Sequence, residues 1–283
     1  MPQKYPFTTW SIMAQNWEKH ITRPGRPCLS QLQIWRQAIK ENIKNPKEAK
    51  ALILGATPEL RDLVLDLGME SVTIDINKNM MKAMSELVKN KNRSKEKRII
   101  KNWFEIEFKD NSFDLVLGDA ALGQVSNKAK MEKLLKKIVK ALKSEGLLLI
   151  REMSRDKKQP LIKTKEEALK LFYDWQDKKI DSVNLYLFLK YQSYLNPYPQ
   201  SPSFMDIVIL GNNIKKLGKE YELANLFYNW MHEVFGSSKP LLLFLKKDLE
   251  KLLGKYFKIL PLKQCADYKF CKYMPSYLGR PKK

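Results

Sequence analysis

Residues 51–60 read ALILGATPEL, a short apolar run that ends in glycine and is followed by a proline-led amphipathic stretch. Similar apolar runs recur along the chain, separated by longer amphipathic stretches, at residues 71–76, 98–102, 113–119 and 146–153. Strands that alternate with helices at this spacing predict a parallel sheet with right-handed crossover connections. The pattern therefore predicts an α/β fold with a doubly wound, Rossmann-like sheet.

Three regions outside this pattern predict further structural units. Residues 1–45 place aromatic and apolar positions at helical spacing on either side of a Pro-Gly-rich break, which predicts an N-terminal helical lid. Residues 154–239 break the strand–helix rhythm with aromatic-rich segments, which predict a helical insertion after the fifth strand. Residues 240–283 return to one helix and two strands, at 257–262 and 267–274, that close the core.

The composition excludes several classes of protein. The 283 residues carry 52 Lys+Arg against 31 Asp+Glu, a net charge of +21, yet 44% are hydrophobic, which excludes a disordered basic tail. Three cysteines without a Cys-x-x-Cys pair exclude a disulfide scaffold and predict no metal site. The chain lacks both a secretory signal pattern and an apolar run of about 20 residues, so we expect a cytoplasmic protein with no membrane association.

The excess of positive charge could indicate what kind of partner the protein binds. Lysine supplies 43 of the 52 basic residues, in clusters dispersed along the chain. Recognition of phosphates and bases that depends on geometry favours the planar arginine side chain. We therefore interpret most of the charge as a solvated surface, with an RNA partner as the alternative.

The residues that follow the first two strands predict a ligand site, because open α/β sheets bind ligands at the carboxyl ends of their strands. Gly55 permits close backbone approach, and Pro58 suits the first turn of a helix whose amides can face an anion. Asp75 ends the second strand, where a carboxylate can accept both hydroxyls of a ribose. The loop lacks the second and third glycines of a pyrophosphate fingerprint and carries Glu59, which favours a ribose ligand without phosphates.

The third and fourth strands also end in polar residues. Asn102 supplies an amide for an adenine edge, and Trp103 supplies an aromatic face beside it. Asp119 follows the fourth strand at the centre of the sheet, where a reactive group would lie. Each position also has a structural interpretation: turn geometry for Gly55 and Asn102, a helix N-cap for Asp75, core packing for Trp103, and an architectural contact for Asp119.

Taken in order, these residues resemble the class I S-adenosylmethionine-dependent methyltransferases. The resemblance rests on ALILGATPEL, Asp75 in TIDINKNMM, NWFEIEFKDNSFDLVLGDAAL and LKSEGLLLIREM. It implies S-adenosyl-L-methionine as the cofactor and a cofactor-binding α/β core over residues 46–153. The implied contacts are the loop of Gly55, Ala56 and Thr57 at the methionine moiety, Asp75 with Ile76 at the ribose, Asn102 and Trp103 at the adenine, and Asp119 at the amino group or the methyl.

The chain departs from the family in its loop, which has one glycine where the family has several. Arg23 or Arg26, in the ITRPGRP segment, could anchor the cofactor carboxylate from the N-terminal lid. Methyl transfer from a sulfonium is accelerated mainly by positioning and desolvation. If a base acts, Asp119 is the candidate catalytic residue, with Glu152 and His232 as further candidates.

Missing motifs restrict the methyl acceptor. The fourth strand is followed by Gly-Asp-Ala-Ala instead of the Asp/Asn-Pro-Pro-aromatic turn of enzymes that methylate exocyclic base amines, and it lacks the Pro-Cys nucleophile of cytosine-C5 enzymes. We therefore expect methyl transfer to a small-molecule or other non-base acceptor, with residues 154–239 as a substrate cap. The alternatives are an RNA methyltransferase that uses the basic surface and a non-catalytic, methyltransferase-like binding or regulatory module.

Overall fold

A seven-stranded sheet lies at the centre of the computed structural model, which describes residues 17, 21, 23, 25–125, 127–197, 204–205, 207–235, 241–268 and 270–283. The strands are β1 Lys50–Leu54, β2 Glu70–Asp75, β3 Glu96–Ile100, β4 Phe113–Asp119, β5 Leu142–Arg151, β6 Phe257–Leu260 and β7 Ser276–Pro281. Their order in the sheet is β6-β7-β5-β4-β1-β2-β3. Strands β1 to β5 pair in parallel, whereas β7 is antiparallel to both β5 and β6. The predicted doubly wound α/β sheet is confirmed.

The order of the strands reverses at the β1–β4 pair, so connections leave the sheet there toward opposite faces. Leu54, the last residue of β1, pairs with Ile74 of β2 on one side and Gly118 of β4 on the other. The carboxyl ends of the three central strands therefore meet at one edge, called here the carboxyl edge.

Helices cover both faces of the sheet. The helices of the described residues are α1 Leu29–Asn42, α2 Pro58–Asp66, α3 Lys78–Glu86, α4 Lys128–Ala141, α5 Lys165–Gln176, α6 Ser182–Gln192, α7 Ile207–Gly218, α8 Glu222–Phe235 and α9 Lys246–Tyr256. Helices α1 and α2 bury apolar side chains against one face, beside Ile53 and Leu117. Helices α4 and α9 pack on the other face, beside Leu52 and Val116. Successive strand residues thus point into opposite layers of the core.

The described residues between β5 and α9 are mostly helical, as the aromatic-rich pattern predicts. Helix α5 begins with the capping box of Thr164 and Glu167. Phe172 of α5 packs edge-on against Phe227 of α8, with ring centroids 5.9 Å apart. Two short strand pairs lie outside the main sheet: Ser154–Arg155 with Phe244–Leu245, and Phe204–Met205 with Leu241–Leu242.

The predicted closing strand at residues 267–274 is wrong. Its described residues form a turn and the 3₁₀ segment Cys271–Tyr273, and the chain enters the sheet later, as β7. Gly279 explains why β7 fits between β5 and β6, because a Cβ atom there would lie 2.9 Å from the Cβ of Phe257. The predicted helix around Trp10 lies outside the described residues, apart from Trp17.

Within the part of the chain that the structure describes, no helix is both long and apolar enough to cross a membrane.

Candidate functional site

Gly55 opens the carboxyl edge at the end of β1. Its φ angle is +99°, a conformation that side chains disfavour, and an added Cβ would meet no atom within 4 Å. Its amide donates to the carbonyl oxygen of Ile74 at 2.9 Å, which holds the loop against β2. The glycine therefore makes the turn and leaves open space beside the backbone.

Asp75 and Ile76 lie next to this space at the end of β2. Asp75 is half-buried, and its Oδ1 accepts from the amide of Asn77 at 2.7 Å. The N-cap of α3 is Asn77 itself, whose Oδ1 accepts from the amide of Met80. Ile76 is 55% exposed, which is unusual for isoleucine. The strand end thus presents a carboxylate beside an uncovered apolar side chain.

Asn102 and Trp103 are held against the same strand end. Nε1 of Trp103 donates to the carbonyl oxygen of Ile74 at 3.0 Å, the same oxygen that receives the Gly55 amide. The indole also packs against the apolar cluster on the α4 face of the sheet. Oδ1 of Asn102 accepts from the amide of Phe104 at 3.0 Å and so stabilises the turn. Both residues have structural roles at positions that border the open space.

Asp119 forms a bidentate ion pair with Arg151, its register partner on β5. The two Asp119 oxygens accept from Nε and Nη2 of Arg151 at 2.6 and 3.0 Å, and the two side chains are 5% and 0% exposed. Burial lowers the pKa of Arg151, but the charge and hydrogen bonds of Asp119 outweigh it, so the net shift is upward. Sequence reasoning missed Arg151, although a charge that ends an apolar strand opposite Asp119 was a usable signal.

Glu152 is fully buried directly after β5. Its Oε1 and Oε2 accept from the amides of Leu122 and Gly123 at 2.8 and 3.2 Å. Burial raises the pKa of Glu152 to about 8, although the two amides oppose the shift. At neutral pH this group therefore holds a proton most of the time. His232, in contrast, is exposed on α8, with its ring beside Tyr228.

An N-terminal segment, residues 25–28 and called here the strap, contacts the first turn of α2. Nη1 of Arg26 donates to Oε1 of Glu59 at 3.3 Å, and Nε1 of Trp17 donates to the same carboxylate at 3.1 and 3.3 Å. Burial raises the pKa of Glu59, against these bonds. Nη1 of Arg151 donates to the carbonyl oxygen of Arg26 at 3.4 Å, which joins the strap to the ion pair.

Ala56, Thr57 and Arg23 were also predicted to bind the cofactor, and their surroundings differ. Ala56 is buried, and Thr57 precedes α2 without a side-chain cap bond. The carbonyl oxygen of Arg23 accepts from Nδ2 of Asn184 on α6 at 3.0 Å. Nε of Arg26 is buried with no hydrogen-bond partner among the described residues. The guanidinium of Arg26 thus contacts the first turn of α2 through Glu59.

These residues fit S-adenosylmethionine. The open side of Gly55 admits a ligand, Asp75 offers a ribose-binding carboxylate, and the exposed face of Ile76 suits a purine ring. The unpartnered Nε of Arg26 suits a ligand carboxylate. Glu59 at the start of α2 would repel a diphosphate. Among the described residues, no group of three or more His, Cys, Asp or Glu side chains could hold a metal ion.

Comparison with known proteins identifies the family of the chain. A methyltransferase-domain family model matches residues 58–220, more than half of the chain. No curated protein sequence matches.

Solved structures share the fold. PH0226 protein from Pyrococcus horikoshii OT3 has 17% identity and a TM-score of 0.52, over 89% of this chain and 90% of that chain. A protein of Rhodobacter sphaeroides whose name places it among the Zn-dependent alcohol dehydrogenases has 14% identity and a TM-score of 0.60, over 98% of both chains. A SAM-dependent methyltransferase from Methanosarcina mazei has 15% identity and a TM-score of 0.50, over 86% of this chain and 96% of that chain.

At these identities the structural similarities show the fold alone, whereas the family match extends from α2 into the helices after β5. The chain therefore belongs to the methyltransferase-domain family.

Proposed function

We propose that this protein methylates a small-molecule or other non-base acceptor that binds between the carboxyl edge and helices α5 to α8. The observation that carries the proposal is the attachment of α6 to the chain directly after β5. Nε2 of Gln192 donates to the carbonyl oxygen of Ser154 at 3.5 Å. Arg155 donates to the carbonyl oxygens of Tyr191 and, at 3.3 Å, Asn196.

The apolar core of these helices continues to the cofactor loop. One buried cluster includes Leu185 and Leu189 of α6, Met80 and Met84 of α3, and Ala56 of the loop after β1. Helices that cover the carboxyl edge in this way would exclude water during transfer. This covering of the edge supports a small methyl acceptor, because a base within a folded RNA would need a more open edge.

We assign the cofactor contacts as follows from their positions. The loop of Gly55, Ala56 and Thr57 would approach the methionine moiety, Asp75 and Ile76 would bind the ribose and the purine, and Asn102 and Trp103 would border the adenine. When bound, S-adenosylmethionine supplies an electrophilic methyl group. Arg26 would then bind its carboxylate. Arg23 would instead join the N-terminal lid to α6, since its carbonyl oxygen accepts a hydrogen bond from Asn184.

Asp119 and Glu152 would have different roles near the methyl group. Both oxygens of Asp119 are already engaged by Arg151, so we assign Asp119 to electrostatic positioning of the cofactor amino group. Glu152 is held by amides instead of a cation, and because its pKa is about 8, the smaller ionised fraction near neutral pH would be the form that accepts a proton. If the acceptor loses a proton on methylation, Glu152 is the candidate base.

The first test replaces Asp75 with alanine. Because a charged hydrogen-bond partner of the ribose is lost, we expect S-adenosylmethionine to bind roughly 10- to 100-fold more weakly in calorimetry. The matched control is Asp110→Ala, an exposed aspartate before β4 at the opposite edge, which should bind as the wild type does. Unchanged affinity in Asp75→Ala would contradict the assigned cofactor site.

The second test identifies the acceptor class. The protein is incubated with methyl-labelled S-adenosylmethionine and a cell extract, which is then separated into small-molecule, RNA and protein fractions. We expect the label in the small-molecule fraction. Label in RNA, with transfer that falls steeply as salt rises, would overturn the proposed acceptor. Cofactor binding without transfer to any fraction would instead indicate a non-catalytic module.

A further inference from the structure

Lys190 is the only charged residue of α6, whose sequence is SVNLYLFLKYQ. Most residues of this helix are buried, and Lys190 itself is 4% exposed. A buried ammonium group is costly unless an opposite charge or hydrogen-bond acceptors compensate for the lost water. Packing alone therefore does not explain a lysine at this position.

The ammonium group of Lys190 has aromatic neighbours and no ionic partner among the described residues. Its Nζ lies 5.0 Å from the ring centroids of both Tyr186 and Tyr191. Burial is the sole cause that lowers its pKa, to about 7, and no hydrogen bond or carboxylate of the described chain opposes that shift. The two rings stabilise the charge only in part. Three N–H donors thus lie in apolar surroundings with no acceptor from the described chain.

A second buried cation beside the end of α6 shows the contrast. Arg155 is fully buried, and it donates to the carbonyl oxygens of Tyr191 and, at 3.3 Å, Asn196. Nδ2 of Asn196 in turn donates to the carbonyl oxygen of Lys190 at 3.1 Å. This stretch of chain therefore provides acceptors for Arg155 and fixes the backbone of Lys190, whereas the described residues offer the Lys190 ammonium group no acceptor.

Lys190 lies near the end of α6 that is attached to the carboxyl edge. Gln192, in the same helical turn, donates to the carbonyl oxygen of Ser154, just after β5. Tyr186 and Tyr191 belong to the buried cluster that also includes Ala56 of the loop after β1. The lysine is therefore on the part of the helical insertion that borders the region proposed above for the acceptor.

We propose that the ammonium group of Lys190 binds a carboxylate of the methyl acceptor, so that the acceptor is an organic acid. The inference rests on the proposed function and names the substrate class for that site. A carboxylate would supply the missing counter-charge and accept charge-assisted hydrogen bonds from Nζ. A phosphate can carry two charges, and a single ammonium group would leave one of them uncompensated in apolar surroundings. A carboxylate therefore fits this lysine better than a phosphate does.

The charge of the acceptor is tested by dividing the small-molecule fraction of a cell extract before the reaction. An anion exchanger at neutral pH gives an anionic and a non-anionic pool, and part of the anionic pool is treated with alkaline phosphatase. Each pool is incubated with the protein and methyl-labelled S-adenosylmethionine. We expect label to be transferred to the anionic pool only, and equally after phosphatase treatment. Transfer that phosphatase abolishes would overturn the carboxylate.

The role of the side chain is tested with Lys190→Met. Because a charged hydrogen-bond partner of the acceptor is lost, the amount of anionic pool needed for half-maximal transfer should rise at least about tenfold. S-adenosylmethionine should bind as tightly as it does to the wild type in calorimetry, which also shows that the variant is folded. Lys170→Met, at an exposed position on α5, is the matched control and should change neither quantity. Half-saturation of Lys190→Met at the wild-type amount would overturn the proposal.

Two outcomes separate this inference from the function on which it rests. Transfer to the non-anionic pool alone would leave methyl transfer standing and overturn only the role of Lys190. Binding of S-adenosylmethionine without transfer to either pool would overturn the proposed methylation of a small molecule, and the inference with it.

Discussion

Replacing Arg151 with methionine is expected to lower the free energy of unfolding by about 3–5 kcal/mol, because it leaves Asp119 buried without its counter-charge. The same change removes the donors that Arg151 gives to Gln31 and to the strap carbonyl of Arg26. We therefore also expect S-adenosylmethionine to bind more than about tenfold more weakly, since the carboxyl edge loses its organising charge. Urea unfolding and calorimetry measure the two effects separately.

The matched control is a second buried ion pair at the opposite edge of the sheet. Nε of Arg61 on α2 lies 2.5 Å from Oε1 of Glu96, the first residue of β3, with exposures of 0% and 1%. Arg61→Met should lose a similar amount of stability, yet its folded fraction should bind the cofactor normally. Equal cofactor affinity in Arg151→Met and the wild type would contradict the role assigned to the Asp119–Arg151 pair.

A more conservative variant at the same position separates the effect of the positive charge of Arg151 from the effect of its bidentate contact. Arg151→Lys keeps the positive charge but cannot make the bidentate contact with Asp119. We expect it to be more stable than Arg151→Met and still to bind the cofactor more weakly than the wild type. If the lysine variant restores affinity fully, the charge alone organises the site.

The central strands were predictable because they are buried on both faces of the sheet. Leu52, Ile53 and Leu54 form a continuous apolar run in β1, and the amphipathic helix α2 follows it. Strand β7 was not predictable in this way. It contains Gly279 and ends at Pro281, both of which argue against a strand, and only the close approach of Phe257 shows why glycine is required there.

The positions of candidate site residues were predictable where the residue directly follows a strand, as Gly55 and Asp75 do. It was not predictable where two distant segments meet. The Arg26–Glu59 contact depends on how the strap packs against α2, which no local pattern encodes. The hydrogen bond from Trp103 to the carbonyl oxygen of Ile74 likewise appears only with the fold in place, whereas a turn at Asn102 was one of the two interpretations of its sequence position.

The second large expected effect concerns Lys190 on α6, which should make the stability of the protein depend on pH. It is 4% exposed, and its Nζ lies 5.0 Å from the ring centroids of both Tyr186 and Tyr191. The described residues provide no carboxylate partner for it. Burial lowers its pKa from 10.5 to about 7. The rings offset only part of the cost of burying the charge.

The direction of the effect follows from proton binding. Between pH 7 and 10.5 the unfolded chain binds a proton at this lysine that the folded protein does not bind, so stability rises with pH in that window. Below pH 7 both states are protonated and the penalty, about 4–5 kcal/mol, is fully present. Glu152 acts oppositely, but only below its pKa of about 8. Over about pH 8 to 10 the contribution of Lys190 is about 2–3 kcal/mol, and comparison with a variant that lacks the ammonium group separates it from the other groups that titrate there.

Replacing Lys190 with methionine keeps the length of the side chain and removes the charge. We expect the variant to be more stable than the wild type at pH 7 by about 4 kcal/mol, with the difference falling as pH rises to 10. Urea unfolding at a series of pH values measures both. Lys170→Met, at an exposed position on α5, should show no such dependence. A constant difference between Lys190→Met and the wild type across this range would mean that the ammonium group is not desolvated.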